Sequence, residues 1–276
     1  MGEIHVFNHH AMATHFQVRI ADEEKDYAGS TAQTAFTLLG RLETHLSRFR
    51  VDSDIARIKE LQPGEMVRVN EPTFACLAIA QKMQSVSRGA FSITAAALKT
   101  QPSIPQWTLV REQLSVRCDQ GKLEFDLGAI GKGFALDRMA EVLREWSCPA
   151  FLLIAGGSSI VAGEPPAGLA GWSCGLGEDD SAQRYWLKNC SLSGSGVAVK
   201  GRHILDPRTG QPTARENRIW ALADTGAESD ALSTAAMVLD KNEINEALTQ
   251  DKSWLVILNE LDAWRCLGAR ALPARV

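Results

Sequence analysis

The chain has 276 residues, of which 45% are hydrophobic and 22% are charged, and its formal charge is −4. This composition is typical of a soluble globular protein, and without a basic excess it argues against nucleic acid or an anionic membrane as the main partner. The six cysteines form no CxxC pair and no Cys/His cluster, so the sequence indicates neither a zinc site nor a disulfide framework.

The same features set an expectation for location. No stretch reaches the length of a membrane span, and the N-terminal residues lack an apolar signal core. Free thiols favour a reducing compartment. We therefore expect no membrane span and a cytoplasmic location, or a periplasmic one if a leader precedes this sequence in the native protein.

Hydrophobic periodicity and turn residues predict the elements of the N-terminal part. They are a strand over 15–20, a long amphipathic helix over 30–49, a short helix capped by Asp52 or Ser53, a strand over 65–70, and a helix over 71–87 with Pro72 in its first turn.

The same signals continue through the rest of the chain. They predict strands over 114–118 and 122–127, a helix over 133–146, strands over 151–154 and within 155–168, strands over 171–177, 183–188, 190–199 and 219–224, helices over 231–239 and 241–248, and a strand over 253–259. This order lacks a regular βαβ rhythm, so it favours one mostly antiparallel α+β domain over 1–276 with helices flanking the sheets.

The stretch FDLGAIGKGFALD, residues 125–137, is the first candidate site. Its glycines at 128, 131 and 133 would let the backbone approach a ligand, and Lys132 could neutralise a phosphate near a helix N-terminus. It is neither a Walker A motif, since Gly133 follows the lysine, nor a Rossmann fingerprint, since Leu136 occupies a glycine position. Local chemistry leaves an anion-binding loop and a glycine turn with a solvated lysine both open.

The stretch HILDPRTGQP, residues 203–212, is the second. His203 would suit proton transfer and Arg208 would suit anion binding, although the composition is also that of a simple turn.

A third stretch, SDALSTAAMVLD over 229–240, places Asp230 and Thr234 four residues apart on one helix face. A carboxylate and a hydroxyl at that spacing could ligate Mg²⁺. The alternative is ordinary capping of the helix, with Ser229 as the N-cap.

Two Gly/Ser-rich loops, IAGGSSIVAG over 154–163 and SLSGSG over 191–196, lie beside predicted strands. Neither matches the G-x-S-x-G nucleophile elbow, so an acyl-transfer serine is not indicated. They could wall a ligand cleft or form hairpin turns.

Taken in order, these motifs resemble the ApbE family of FAD:protein FMN transferases, from MATHFQV near the N-terminus to about residue 240. The most specific are DLGAIGKG, HILDPRTG and DALST. The resemblance implies an ApbE-like, T-fold-like α+β domain that binds FAD as substrate and Mg²⁺ as cofactor. It also implies transfer of FMN to a Ser or Thr hydroxyl of a target protein with release of AMP.

The resemblance further implies roles for individual residues. Asp230, Thr234 and the carbonyl of Ala129 would bind the metal, and His203 and Asp230 would be catalytic, with His203 as the base. The FAD-binding residues would be Met12, Ser47, Arg48, Phe49, Gly128, Lys132, Gly156, Gly157, Ser193, Gly194 and Arg208.

The chain departs from the usual family pattern at Ala13, Ser92 and Ser158, which replace Gly, Asp and Asp, and in a shorter segment over 98–115. The two missing carboxylates could weaken metal or ribose binding, change the substrate, or indicate a catalytically silent FAD-binding protein. A further alternative is an FAD pyrophosphatase, in which water replaces the acceptor hydroxyl and the products are FMN and AMP. The pattern of a flavin acceptor is absent, so the acceptor is expected to be another protein.

Overall fold

Most helices of the fold bury one apolar stripe, as amphipathic helices should. The computed structural model describes residues 3–176, 183–196, 204–215, 217–260 and 263–276. Within these residues the helices are α1 (Lys25–Leu46), α2 (Asp54–Lys59), α3 (Glu71–Val86), α4 (Gly131–Glu145), α5 (Gly226–Ala236) and α6 (Lys241–Leu248). None of them is both long and apolar enough to cross a bilayer.

The strands pair antiparallel throughout the described residues. They are β1 (Ile4–Ala11), β2 (Thr14–Ala21), β3 (Met66–Arg68), β4 (Gln106–Val110), β5 (Ser115–Gln120), β6 (Phe151–Ala155), β7 (Ser159–Ala162), β8 (Trp172–Leu176), β9 (Gln183–Leu187), β10 (Cys190–Ser195), β11 (Ile219–Ala223), β12 (Leu255–Glu260) and β13 (Ala263–Leu267). Eight of these described strands form one sheet in the order β1-β2-β6-β7-β10-β11-β12-β13. The predicted antiparallel α+β class is confirmed.

The large sheet separates two apolar cores. Helices α1, α4 and α5 pack on one face, where the fully buried side chains of Phe16, Leu39 and Leu136 belong to the larger core. The hairpin of β8 and β9 contributes Trp172 and Leu187 to a second core, which also includes Leu152 of β6. The helical face carries the glycine-rich segment, so the candidate site lies on that side.

Several predicted boundaries need correction. Segment 122–127 is not a strand: its side chains alternate between buried and half-buried positions, which imitates a strand, but the segment forms no ladder and ends in a turn. Strand β4 was not predicted, because Pro102 and Pro105 just before it indicate turns. Strands β1 and β13 were also not predicted. Helix α1 spans 25–46 instead of 30–49, since Ser47 is extended.

The start of α5 differs from the prediction in a way that matters for the site. The helix begins at Gly226, and Thr225 is its N-cap, accepting a hydrogen bond from the N–H of Glu228. Ser229 is therefore an interior helical residue and not the cap. The predicted strand residues 197–199 and residue 177 lie outside the described residues.

Candidate active site

The glycine-rich segment forms a turn that leads directly into α4. The carboxylate of Asp126 accepts a hydrogen bond from the N–H of Gly128 at 2.9 Å and pairs with the guanidinium of Arg48 at 2.6 Å. Asp126 therefore holds the turn and ties it to the segment that follows α1. Helix α4 begins at Gly131 without a side-chain cap and without an acidic residue in its first turn, so its positive end favours an anion.

Asp230 on α5 is the buried carboxylate of the site, with 5% of its surface exposed. One of its oxygens accepts a hydrogen bond from the hydroxyl of Ser159 at 2.6 Å, and the other accepts from the N–H of Gly133 at 2.8 Å. A carboxylate has about four acceptor positions, so two remain for other ligands. Both donors hold the side chain in one orientation.

Lys132 supplies the positive charge next to this carboxylate. Its ammonium nitrogen lies 3.6 Å from Asp230 Oδ2, and the lysine side chain is 24% exposed. The same nitrogen lies 3.5 Å from the carbonyl oxygen of Gly128. The ammonium group thus reaches solvent beside a buried acceptor, which suits an anionic ligand such as a pyrophosphate.

The predicted metal ligands fit a hard divalent cation by their chemistry. The hydroxyl of Thr234 is four residues from Asp230 on α5, and Ala129 is half-buried in the turn before α4. Carboxylate, hydroxyl and carbonyl oxygens are the donors that Mg²⁺ prefers. The described part of the chain holds no group of three His, Cys, Asp or Glu side chains that could bind a metal by themselves. A cation here would therefore need substrate oxygens or water as further ligands.

Helices α4 and α5 touch through two glycines, and we call this contact the α4–α5 crossing. A Cβ atom added to Gly133 would lie 2.0 Å from the carbonyl oxygen of Gly226, and one added to Gly226 would lie 2.6 Å from that of Gly133. No side chain fits in either place. The sequence suggested that Gly133 leaves room for a ligand, but the room is taken by the second helix.

Asp137, one turn further along α4, binds the N-terminus of α5. Its carboxylate oxygens accept hydrogen bonds from the N–H groups of Gly226 at 2.6 Å and Ala227 at 2.9 Å. Burial raises the pKa of this carboxyl to about 7, and the nearby Asp230 carboxylate adds to the rise, while the two N–H groups oppose it. Asp137 was not among the site residues predicted from the sequence, although an acid four residues after Gly133 on the same face of α4 was a usable signal.

A row of serine hydroxyls attaches α5 to β10, and we call it the hydroxyl ladder. Alternate residues of the strand meet every fourth residue of the helix, because two strand residues span about 6.7 Å and four helical residues span about 6 Å. The bonds join Ser191 to the carbonyl of Thr225 (2.6 Å), Ser193 to Ser229 (2.8 Å), and Ser195 to Ser233 (2.9 Å) and Thr234 (3.1 Å). Ser193, which the resemblance assigns to FAD binding, is thus engaged inside the protein.

Met12 and Ala13 form the two-residue turn between β1 and β2. Both have positive φ, 49° and 56°, as a type I′ hairpin turn requires. The N–H of Met12 donates to the carboxylate of Glu43 at 2.7 Å. The left-handed backbone at position 13 favours glycine, the residue that the family resemblance implies there.

The segment Ser47–Phe49 follows the end of α1. The hydroxyl of Ser47 accepts a hydrogen bond from the N–H of Phe49, and the Arg48 guanidinium lies 4.8 Å from the centre of the Phe49 ring. Phe49 is 81% exposed, which is unusual for an aromatic residue. Because Arg48 also binds Asp126, this segment stands beside the glycine-rich turn.

Gly156 and Gly157 form the turn between β6 and β7, both with positive φ. The N–H of Gly156 donates to the carbonyl of His15, and the N–H of Gly194 donates to that of Ser158. A Cβ at position 156 would lie 2.7 Å from the hydroxyl of Thr14. This turn therefore joins the β1–β2 hairpin to β10.

Of the second motif, residues 203–212, the structure describes 204–212. His203 lies outside the described residues, so its role as a base stays a prediction. Arg208 pairs with Asp206 at 2.9 Å and with Glu243 at 2.6 Å, and these carboxylates raise its pKa. Arg208 is therefore paired with one carboxylate in its own loop and one on α6. Among the described residues it shares no contact with Lys132 or Asp230.

Known protein sequences match this chain over most of its length. The profile of the ApbE family matches residues 12–258. A protein named FAD:protein FMN transferase from Klebsiella pneumoniae (strain 342) is 25% identical over 255 residues, which cover 79% of this chain and 78% of that protein. One of the same name from Escherichia coli (strain K12) is 20% identical and covers 90% and 82%.

Solved structures show the same fold. The flavin transferase ApbE from Vibrio cholerae superposes with a TM-score of 0.81 at 17% identity, covering 96% of this chain and 97% of that one. The apo form of flavinyl transferase ApbE from Pseudomonas stutzeri gives a TM-score of 0.80 at 19% identity, covering 96% and 94%.

Proposed function

The chain belongs to the ApbE family, and from this membership we propose that it is a Mg²⁺-dependent transferase that moves FMN from FAD to a Ser or Thr hydroxyl of another protein. The relatives named FAD:protein FMN transferase support this activity. One observation of the structure carries the proposal: Lys132 and the buried Asp230 stand 3.6 Å apart where the N-termini of α4 and α5 meet.

Asp230, Thr234 and the carbonyl of Ala129 would hold the cation. When bound, Mg²⁺ neutralises negative charge on the pyrophosphate. Ser159 and the N–H of Gly133 keep Asp230 in place for this task, since each occupies one carboxylate oxygen. The Asp230 side chain is thus already oriented before the ligand binds, so binding does not have to fix its rotamer.

The remaining residues would bind and orient FAD. Lys132 and the positive end of α4 would attract the pyrophosphate, and the exposed ring of Phe49 offers a surface on which a flavin or adenine ring could stack. Arg48 fixes the position of that ring through its pairing with Asp126. The segment and the turn would then form two sides of the FAD-binding cleft.

In the reaction, the oxygen of the acceptor hydroxyl attacks the phosphorus of the FMN half. The new P–O bond forms as the bond to the AMP phosphate breaks, and AMP leaves. We assign the proton of the hydroxyl to His203, whose imidazole is suited to accept it at neutral pH. Phosphoryl transfer depends mainly on positioning and charge neutralisation, which are what this site provides.

The test is to incubate the purified protein with FAD and Mg²⁺, with and without a bacterial cell extract. AMP is measured by chromatography, and covalent flavin by in-gel fluorescence. We expect AMP release that depends on the extract, together with a fluorescent acceptor band. Asp230→Asn should abolish both, whereas Asp224→Asn, the same change at an exposed acid before α5, should leave both unchanged.

Two outcomes would refute the proposal. AMP and free FMN produced at full rate without any acceptor would identify a pyrophosphatase. Tight FAD binding without AMP release under any condition would identify a silent FAD-binding protein.

A further inference from the structure

Two aspartates on neighbouring helices make reciprocal contacts at the α4–α5 crossing. On α5, Asp230 lies four residues after Gly226 and accepts the N–H of Gly133 on α4. On α4, Asp137 lies four residues after Gly133 and accepts the N–H of Gly226 on α5. Each helix therefore presents a glycine for contact and an aspartate one turn later that binds the partner helix.

The contact of Asp137 is the more extensive of the two. It accepts two N–H groups of the first turn of α5, at 2.6 and 2.9 Å, and Thr225 caps the N–H of Glu228. The first N–H groups of a helix have no partner within the helix. Here the half-buried Asp137 satisfies those of the buried residues Gly226 and Ala227 from outside the helix.

The position of α5 decides where Asp230 and Thr234 stand relative to Lys132. The glycines prevent the helices from moving closer, because the backbone atoms already touch. The two hydrogen bonds of Asp137 prevent α5 from moving away or sliding along its axis. Contact and hydrogen bonds together thus define a single separation and a single register.

We propose that Asp137 is a positioning residue that sets the place of Asp230 and Thr234 by holding the first turn of α5 against α4. This inference rests on the proposed function. Asp137 itself acts through α5, since its carboxylate is occupied by backbone groups of that helix.

The variants Asp137→Ala and Asp137→Asn test this role. Alanine removes both acceptors, and asparagine keeps one oxygen. The matched control is Leu143→Ala, a fully buried residue later on α4 whose truncation destabilises the protein by making a cavity. The free energy of unfolding is measured for all three variants, so that their other effects are compared at a similar loss of stability.

Three readouts separate positioning from general weakening. Amide exchange by mass spectrometry reports on the first turn of α5 in the protein without ligands, calorimetric titration with Mg²⁺ reports on the metal site, and AMP release with acceptor present gives kcat and the KM for FAD. For Asp137→Ala we expect at least tenfold faster exchange at 226–228, at least tenfold weaker Mg²⁺ binding and at least tenfold lower kcat, with KM changed less than threefold. Asp137→Asn should fall between.

The control decides the interpretation. If Leu143→Ala produces the same losses at equal stability, or if Asp137→Ala keeps wild-type Mg²⁺ affinity and kcat, Asp137 is merely structural and the inference is wrong. A wild-type protein that binds Mg²⁺ but never releases AMP would refute the transferase, while the exchange and titration comparisons would still judge Asp137. A wild-type protein that binds no Mg²⁺ even when FAD is present would refute both.

Discussion

Replacing Gly133 by alanine tests the α4–α5 crossing directly. The added Cβ would lie 2.0 Å from the Gly226 carbonyl oxygen, whereas real Cβ atoms do not approach within 3.0 Å, so the helices must separate by about 1 Å. That shift stretches the 2.8 Å bond from Gly133 to Asp230 beyond hydrogen-bond range. Overpacking costs about 1–3 kcal/mol and the lost bond to a charged group about 1.5–3 kcal/mol, so the free energy of unfolding should fall by about 2.5–6 kcal/mol.

The activity should fall further than the stability alone explains. A displacement of about 1 Å in a catalytic group can lower a rate about a hundredfold. Urea unfolding measures the free energy, and AMP release at saturating FAD measures the rate. Gly40→Ala is the matched control, because the Cβ of this α1 residue would meet nothing within 4 Å. The reasoning fails if the two variants are equally stable and equally active.

Three other substitutions probe the Asp137 carboxyl, the hairpin turn at Ala13 and the ion pair of Arg48. The pKa of Asp137 is raised from 3.8 to about 7, so the folded chain binds more protons than the unfolded chain between these values and stability falls as pH rises through them. The stability advantage of the wild type over Asp137→Ala should therefore shrink by about 2–3 kcal/mol between pH 5 and 8, measured by urea unfolding. Ala13→Gly should raise the melting temperature by about 2 °C, because glycine relieves about 1 kcal/mol of left-handed strain; an unchanged value in a thermal scan would contradict this. Arg48→Ala should change stability by less than about 1 kcal/mol, since the pair with Asp126 is partly solvated, but should weaken FAD binding about tenfold in a fluorescence titration; unchanged affinity would place the Arg48 segment outside the cleft.

The spacing of residues in the sequence predicted the features that depend on a single helix or turn. The four-residue separation of Asp230 and Thr234 placed both on one face of a helix, and the structure has them so on α5. Ser53 was predicted as a cap and accepts the N–H of Ala56. Asp126 accepts a hydrogen bond from the N–H of Gly128, two residues further along the same turn. These interactions span only a few residues.

Contacts between distant segments were beyond such patterns. Ser159 binds Asp230 across 71 residues and Asp137 binds Gly226 across 89, so neither partner is visible in a local window. Gly133 was interpreted as space for a ligand, because a glycine signals close approach without saying what approaches. The irregular segment 122–127 was predicted as a strand because its residues alternate between polar and apolar. Such alternation indicates burial on one side, but a strand also needs a neighbouring strand to pair with.

The hydroxyl ladder between β10 and α5 consists of groups without net charge. At 0.1 M, dissolved salt largely screens charges that lie more than about 10 Å apart, but it leaves the neutral hydrogen bonds between these serines almost unaffected. The attraction between Lys132 and a pyrophosphate is electrostatic and must weaken as salt is added. Ionic strength should therefore act on the capture of substrate and much less on the contact between β10 and α5, so that concentrated salt should raise the FAD requirement while excess FAD restores the full rate.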